Sequence, residues 1–329
     1  MVVLNAKWRS AMYRGKSIAV VVPAYNEEKL IGATLESIPD YVDRVFVVND
    51  GSTDGTADIV EEYKAKDPRI RLINKSNGGV GSAIVFGYKA ATEEGLDISA
   101  VMAGDNQMDP AYLPSLLDPI IDGEAHYTKG NRLSGKDSYR GMSRWRLLGN
   151  NLLTLLTKIS SGLWHISDPQ NGYTAIDNSV FKRLDPEEIF AWYGYCNDLL
   201  TRLNMYGFVV KDVPIPARYG DEKSKIKYPE YIYRVSKLLL LDFVMRISYK
   251  QKSKSVISFV SAAFVVAVLS YLGILVILGA QSVYQAPSQV FLFLAFASAL
   301  TVSILLVFYL FLMICGTALL HRRVPKLNP

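Results

Sequence analysis

The chain has 329 residues, 50% of them hydrophobic and 20% charged, with a net charge of +5. That surplus is mostly in the tail: residues 255–329 hold three Lys/Arg and no Asp/Glu, leaving 33 basic against 31 acidic groups in residues 1–254, a near balance that argues against a nucleic-acid partner. Two cysteines, Cys196 and Cys315, the second inside a long apolar run, and three scattered histidines argue against a disulfide framework, a zinc site and a Cys/His nucleophile pair.

Residues 1–16 read as a mixed, basic N-terminal tail without a signal-peptide pattern. The apolar run at 17–22 predicts a buried strand, 27–38 a helix, 44–49 a strand, 56–66 a helix, 70–74 a strand, 80–93 a helix and 98–102 a strand. This alternation predicts an α/β domain with a mostly parallel sheet covered on both faces. Ligands on such sheets gather at the carboxyl ends of the strands. Polar loops follow there: Pro23-Ala24-Tyr25-Asn26-Glu27-Glu28, then Asn49-Asp50-Gly51-Ser52-Thr53-Asp54-Gly55-Thr56, then Gly104-Asp105-Asn106-Gln107-Met108-Asp109-Pro110. Each alone has a plain alternative. Glu27 and Glu28 suit a helix N-terminus, Thr53 or Asp54 suits a cap, and Asp109 before Pro110 suits another cap. Together on one rim, they suit a base, ribose hydroxyls and a divalent cation on a diphosphate.

Further along, 143–164 and 228–254 each mix basic residues with Leu, Trp and Tyr and predict amphipathic helices at a membrane interface, with ordinary core-packing helices as the alternative. Residues 255–320 contain no Asp, Glu, Lys, Arg or His. A polar break around Pro287 divides them into 256–280 and 290–320, each long enough to span a bilayer, so a two-helix transmembrane hairpin is expected. Lys250, Lys252 and Lys254 precede it and His321, Arg322, Arg323 and Lys326 follow in a basic tail, 321–329. The positive-inside rule then places the large domain and both termini on the cytoplasmic side of a multi-pass protein in the cell membrane or an ER-type membrane.

The motif set PAYNEE, VNDGSTDGT and AGDNQMDP resembles the family 2 glycosyltransferases with the GT-A nucleotide-sugar-binding fold. Asp168-Pro169-Gln170-Asn171-Gly172-Tyr173 resembles their D-x-x-x-G-Phe/Tyr segment. Arg218-Tyr219-Gly220 with Ser224-Lys225 resembles the R-x-x-G-x-S-K element of the polyprenyl-phosphate sugar transferases, the group of dolichol-phosphate mannose and glucose synthases. The resemblance covers about 17–227, the expected catalytic domain.

That resemblance implies a nucleotide cradle of Pro23, Ala24, Tyr25, Glu27, Asp50 and Asp105, with Asp105 and Gln107 holding Mg2+ or Mn2+ on the diphosphate of a GDP- or UDP-hexose. The sequence departs from the family at Ala103, where the metal motif has its first acid, and at Val80, where many relatives carry Lys. The implied acceptor is a polyprenyl or dolichyl phosphate in the membrane lipid, gripped by Arg132, Arg146, Asn150, Arg218, Ser224 and Lys225. A phosphate oxygen is already ionised, so cations to place it matter more than a base. The expected catalytic set is Asp105, Arg132, Asp168, Asp198, Arg218 and Lys225, with Asp168 or Asp198 steadying positive charge on the sugar, and the expected outcome is inversion. The alternatives are a processive polysaccharide synthase, against which no Gln-x-x-Arg-Trp segment is present, and a non-catalytic membrane scaffold, which Ala103 alone favours. The transmembrane helices also offer a surface for homo-oligomer formation.

Overall fold

A computed structural model describes residues 12–134, 144–216 and 228–250. The chain divides into two compact units, Met1–Phe243 and Val244–Pro329. Of the second, only residues 244–250 are described. The expected spans 256–280 and 290–320, and the tail 321–329, lie outside the described residues. Among the described residues no helix is long and apolar enough to cross a membrane.

The first unit is built on a seven-stranded sheet in the order β3-β2-β1-β4-β6-β5-β7. The strands are β1 (Ile18–Ala24), β2 (Arg44–Asp50), β3 (Ile70–Lys75), β4 (Ile98–Val101), β5 (Tyr127–Asn131), β6 (Thr174–Asp177) and β7 (Val210–Pro214). β1 pairs in parallel with β2 and β4, β2 with β3, and β5 with β7. Only β6 runs antiparallel to its neighbours, β4 and β5. The carboxyl ends of the other six strands and the amino end of β6 therefore share one rim.

The helices are α1 (Ile31–Ser37), α2 (Thr56–Lys66), α3 (Val80–Glu93), α4 (Leu113–Ile121), α5 (Arg144–Ser161), α6 (Asn178–Phe181), α7 (Tyr195–Met205) and α8 (Tyr228–Lys250). β1 is buried along its whole length, and its side chains alternate between the two faces. Val20 and Val22 join Ile31, Leu35, Val60, Leu113 and Leu117 of α1, α2 and α4. Val21 joins Ala83, Ile84, Leu199 and Leu203 of α3 and α7 on the other face. A strand buried on both faces must be apolar at every position, so IAVVV reads as an unbroken run. Pro23 is tolerated in this central strand because the β4 pairing ends at Val21.

The predicted helix at 27–38 is shorter than expected. Residues 27–30 form a turn, in which the Leu30 and Ile31 amides both bond the Glu27 carbonyl, and α1 starts at Ile31. The Glu27 and Glu28 amides donate to Thr56 Oγ1 and Asp54 Oδ2, and the Glu28 carboxylate accepts the Gly55 N–H at the start of α2. α5 and α8 lie within the predicted helices at 143–164 and 228–254: α5 stops at Ser161, before the predicted 164, and residues 251–254 lie outside the described residues. α5 is inside-out: Thr157, Ser160 and Ser161 are buried, while Leu152, Leu155, Leu156 and Ile159 are exposed. The buried hydroxyls bond backbone carbonyls of their own helix, which makes a polar face tolerable against α7.

Candidate active site

The loops after β1 and β2 are laced together. Asn26 N–H donates to Ser52 Oγ at 3.0 Å, Glu27 N–H to Thr56 Oγ1 at 2.8 Å and Glu28 N–H to Asp54 Oδ2 at 3.2 Å. In return the Thr53 N–H donates to Asn26 Oδ1 and the Gly55 N–H to Glu28 Oε2. Asn26 adopts φ 54°, a left-handed conformation that asparagine tolerates better than most residues. Asp54 lies just before α2 and accepts the Thr56 N–H and hydroxyl. Partial burial opposes its charge, but the Thr56 and Glu28 bonds hold its carboxyl below the ordinary value. Pro23, Ala24, Tyr25 and Glu27 thus stand on one braced rim, with Tyr25 largely exposed.

Asp50, at the end of β2, is buried and saturated. Its Oδ1 accepts Lys75 Nζ at 2.5 Å and Gly78 N–H at 2.9 Å, and its Oδ2 accepts Gly79 N–H at 2.8 Å. It therefore pins the glycine-rich turn after β3 to the end of β2. Gly79 has φ 93°, and a Cβ there would sit 2.6 Å from the Ala191 carbonyl oxygen, so only glycine fits. Lys75 is a partner of Asp50 that the motifs did not reveal. Asp50 and Lys75 are direct partners in the β2–β3 register, so counting the ladder would have found the pair.

The loop after β4 brings in Asp105 and Gln107. Asp105 Oδ1 accepts the Gln107 N–H at 3.1 Å, and Asn106 between them adopts φ 55°, its N–H bonded to Thr34 Oγ1 of α1. Asp109 Oδ1 caps the following turn through Ala111 N–H, as its plain alternative expected. With Ala103 in the first position, Asp105 is the one carboxylate left of the two acidic positions of the expected metal motif. No cluster of three metal-ligating side chains exists among the described residues. One carboxylate and one amide are hard oxygen donors, which fits Mg2+ or Mn2+ shared with a diphosphate and not a preformed protein cage.

On the far half of the rim, Arg132 follows β5 and makes a fork to Asp168. Nε to Oδ2 is 2.7 Å and Nη2 to Oδ1 is 3.0 Å, with the Arg132 N–H adding a third bond. Asp168 is 3% exposed as a side chain and Arg132 43%. The arrangement presents a cation held by a buried anion, suited to a second anion from outside. The Asp168 loop touches the Asp105 loop through Tyr173, whose hydroxyl donates to the Asp109 carbonyl at 3.0 Å. Arg146 lies in the first turn of α5 with Asn150 one turn later. Arg218, Ser224 and Lys225 lie outside the described residues.

Asp198 is placed differently from a group facing a sugar. It is buried in the first turn of α7, accepting Arg202 Nε at 2.9 Å and the Phe190 N–H at 2.7 Å. The expectation that Asp168 or Asp198 steadies positive charge on the sugar thus meets two carboxylates that already hold an arginine. Asp242 of α8 completes the Asp198 cluster and had no sequence signal. Burial first, then the neighbouring Asp198 charge, push the Asp242 carboxyl well above its ordinary value. The folded state then binds a proton that the unfolded chain loses near pH 4. The stability it confers is full below that pH and is lost as pH rises through the raised native value. Asp242→Asn, which mimics the protonated acid, is expected to gain melting temperature relative to the unmodified protein as pH rises from about 5 to 8. Parallel melting curves across that range would contradict a raised Asp242 carboxyl.

Comparison with known proteins adds the following. The family model described as glycosyl transferase family 2 matches residues 19–185. A UDP-N-acetylglucosamine–dolichyl-phosphate N-acetylglucosaminyltransferase of Methanococcus voltae is 28% identical over 220 residues, covering 63% of this chain and 87% of that protein. A polyprenol monophosphomannose synthase of Mycolicibacterium smegmatis is 29% identical over 204 residues, covering 60% of this chain and 75% of its own. The fold is similar to glucosyl-3-phosphoglycerate synthase of Mycobacterium tuberculosis, solved with Mn2+, UDP and phosphoglyceric acid, at a TM-score of 0.53 and 21% identity, covering 71% of this chain and 79% of that one.

Proposed function

This chain belongs to glycosyl transferase family 2, and from that membership we propose that it transfers one hexose, with inversion, from a nucleoside diphosphate sugar to a polyprenyl phosphate in a membrane. The observation that carries the acceptor half is the Arg132 fork on buried Asp168, on the same rim as Asp105. The relatives named for dolichyl-phosphate and polyprenol substrates support the same acceptor class. The UDP-N-acetylglucosamine of the Methanococcus voltae relative makes UDP-sugars the first donors to test.

In this reading the braced loops after β1 and β2 seat the nucleoside, and the Asp50-pinned turn closes beside it. Asp105 and Gln107 would hold a divalent cation, Mg2+ or Mn2+, which when bound draws charge from the diphosphate leaving group. Arg132 orients the lipid phosphate, with Arg146, Asn150, Arg218, Ser224 and Lys225 as further candidates. A phosphate oxygen, already ionised, attacks the anomeric carbon as the bond to the nucleoside diphosphate breaks, giving a β-linked lipid-phosphate sugar. No protein base is required. The exposed leucines of α5, together with Ile232, Tyr233, Leu240 and Leu241 of α8, lie against lipid. The segments 256–280 and 290–320 span it, with the catalytic domain and both termini cytoplasmic.

The test is a panel of UDP- and GDP-sugars offered to the purified full-length protein with polyprenyl phosphate. One sugar per lipid supports the proposal. Polymer would mean a processive synthase, and no product on any lipid phosphate would sink it. A separate expectation concerns the metal. With one carboxylate in the motif, Mn2+ is expected to bind only when UDP or GDP is present, and EDTA is expected to abolish transfer. Tight Mn2+ binding to the nucleotide-free protein, seen by electron paramagnetic resonance, would contradict a shared site.

A further inference from the structure

Lys129 is fully buried in β5, directly opposite Asp212 in the β5–β7 ladder. A lysine shut away from water is uncommon, since its charge loses hydration that a protein must replace. Among the described residues the Lys129 ammonium has one hydrogen-bond acceptor, the carbonyl oxygen of Asn171. Asp212 Oδ2 accepts the Ser167 N–H at 2.6 Å, and its Oδ1 is buried without a donor. Burial raises the Asp212 carboxyl, and the Lys129 charge is the principal side-chain influence holding it down. A pair needed only to close a β-ladder would be replaced by two apolar residues at little or no loss of stability.

The two partners of this pair bracket Asp168: Ser167 immediately precedes it and Asn171 follows three residues later. Asn171 N–H bonds the Asp168 carbonyl, closing the turn, and Asn171 Nδ2 donates to the Gly130 carbonyl at 2.8 Å. Gly130 permits that approach, since a Cβ there would lie 2.7 Å from Nδ2. Asp168 then takes the three Arg132 donors. The charges of β5 and β7 therefore grip both ends of the turn whose carboxylate aims the Arg132 fork.

We propose that Lys129 and Asp212 are positioning residues that clamp the 167–171 turn from inside the domain and, through Asp168, set the direction in which Arg132 meets the acceptor anion. This rests on the reading that Arg132 binds the acceptor phosphate. It assigns Lys129 a part in acceptor use and none in donor binding.

The test uses the full-length protein in detergent, with a short-chain prenyl phosphate as acceptor and UDP or GDP in calorimetry as the donor-side probe. Lys129→Met keeps length and removes charge, and Asp212→Asn is the second variant should Lys129→Met fold poorly. Either is expected to weaken acceptor kcat/KM about ten- to a hundred-fold, as a misplacement near 1 Å does, with nucleotide binding unchanged. In an Arg132→Ala background the same change is expected to cost little more, because both act on one contact. Lys129→Arg is expected to recover part of the loss. Equal weakening of donor and acceptor, or losses that multiply with Arg132→Ala, would reduce the pair to a fold element and overturn the proposal. An Arg132→Ala variant with normal acceptor use would instead bring down the acceptor assignment of Arg132, and the positioning role with it.

Discussion

Asp50→Ala is expected to abolish nucleotide binding and to lower the melting temperature together. The carboxylate receives Lys75 Nζ and the Gly78 and Gly79 amides, and the side chains of the pair are only 5% and 10% exposed. Removing it leaves a nearly buried ammonium without its counter-charge, which costs about 3–5 kcal/mol. At about 2–4 °C per kcal/mol for a domain of this size, the fall is roughly 6–20 °C. It also frees the turn at Gly78 and Gly79 from the end of β2, so the turn proposed to close beside the nucleoside loses its anchor. Lys75→Met with Asp50→Asn removes both charges and keeps the shape, so it is expected to recover much of the melting temperature. Calorimetry with UDP and GDP alongside thermal melting separates the two effects. A variant that melts normally and still binds nucleotide would show that the Asp50 network neither braces the domain nor shapes the cradle.

Arg132→Ala is expected to lower transfer to polyprenyl phosphate by about ten- to a hundred-fold while nucleotide binding stays near normal. A charge-assisted bond to phosphate contributes about 1.5–3 kcal/mol, and each 1.36 kcal/mol of barrier is tenfold in rate. Part of the loss comes from Asp168, whose 3%-exposed carboxylate loses two side-chain donors. Arg132→Lys is expected to recover only part of the rate, since it keeps the charge and loses the fork. Asp168→Asn is expected to resemble Arg132→Lys, with the guanidinium present and its direction no longer fixed. Steady-state kinetics in which acceptor KM is varied against kcat decide the matter. Full activity of Arg132→Ala would remove the fork from the acceptor site.

The difference between these two residues shows how much of the site was legible. Asp50 stands at the end of a strand that an apolar run located, whereas Arg132 follows β5, whose YTKGN is no apolar run and gave no strand signal, so that only its residue type pointed to an anion. Their partners were another matter. Lys75 meets Asp50, and Asp212 meets Lys129, through ladder register, which a linear pattern carries only once the strand order is known. Asp242 meets Asp198 from a helix more than forty positions away. The short α1 follows the same logic. Glu27 and Glu28 look like the acidic start of a helix until the segment after β2 offers partners to both amides and to the Glu28 carboxylate.

By itself the sequence determined the parallel α/β core of β1 to β4, the polar loops at the ends of those strands and the family, and it left β5, β6 and β7 unread. These are properties of local periodicity and residue type, and burial on two faces forces them into contiguous apolar runs. Only the tertiary structure decided which carboxylates are already occupied: Asp50 by Lys75, Asp168 by Arg132, Asp198 by Arg202. It also decided which face of α5 is inward, seating Thr157, Ser160 and Ser161 in the protein and turning the leucines out. The physical reason is the same in each case. A buried charge or hydroxyl takes its state from whatever polar group packs against it, and in this fold the groups that hold the carboxylates of β2 and the 168 turn come from other strands.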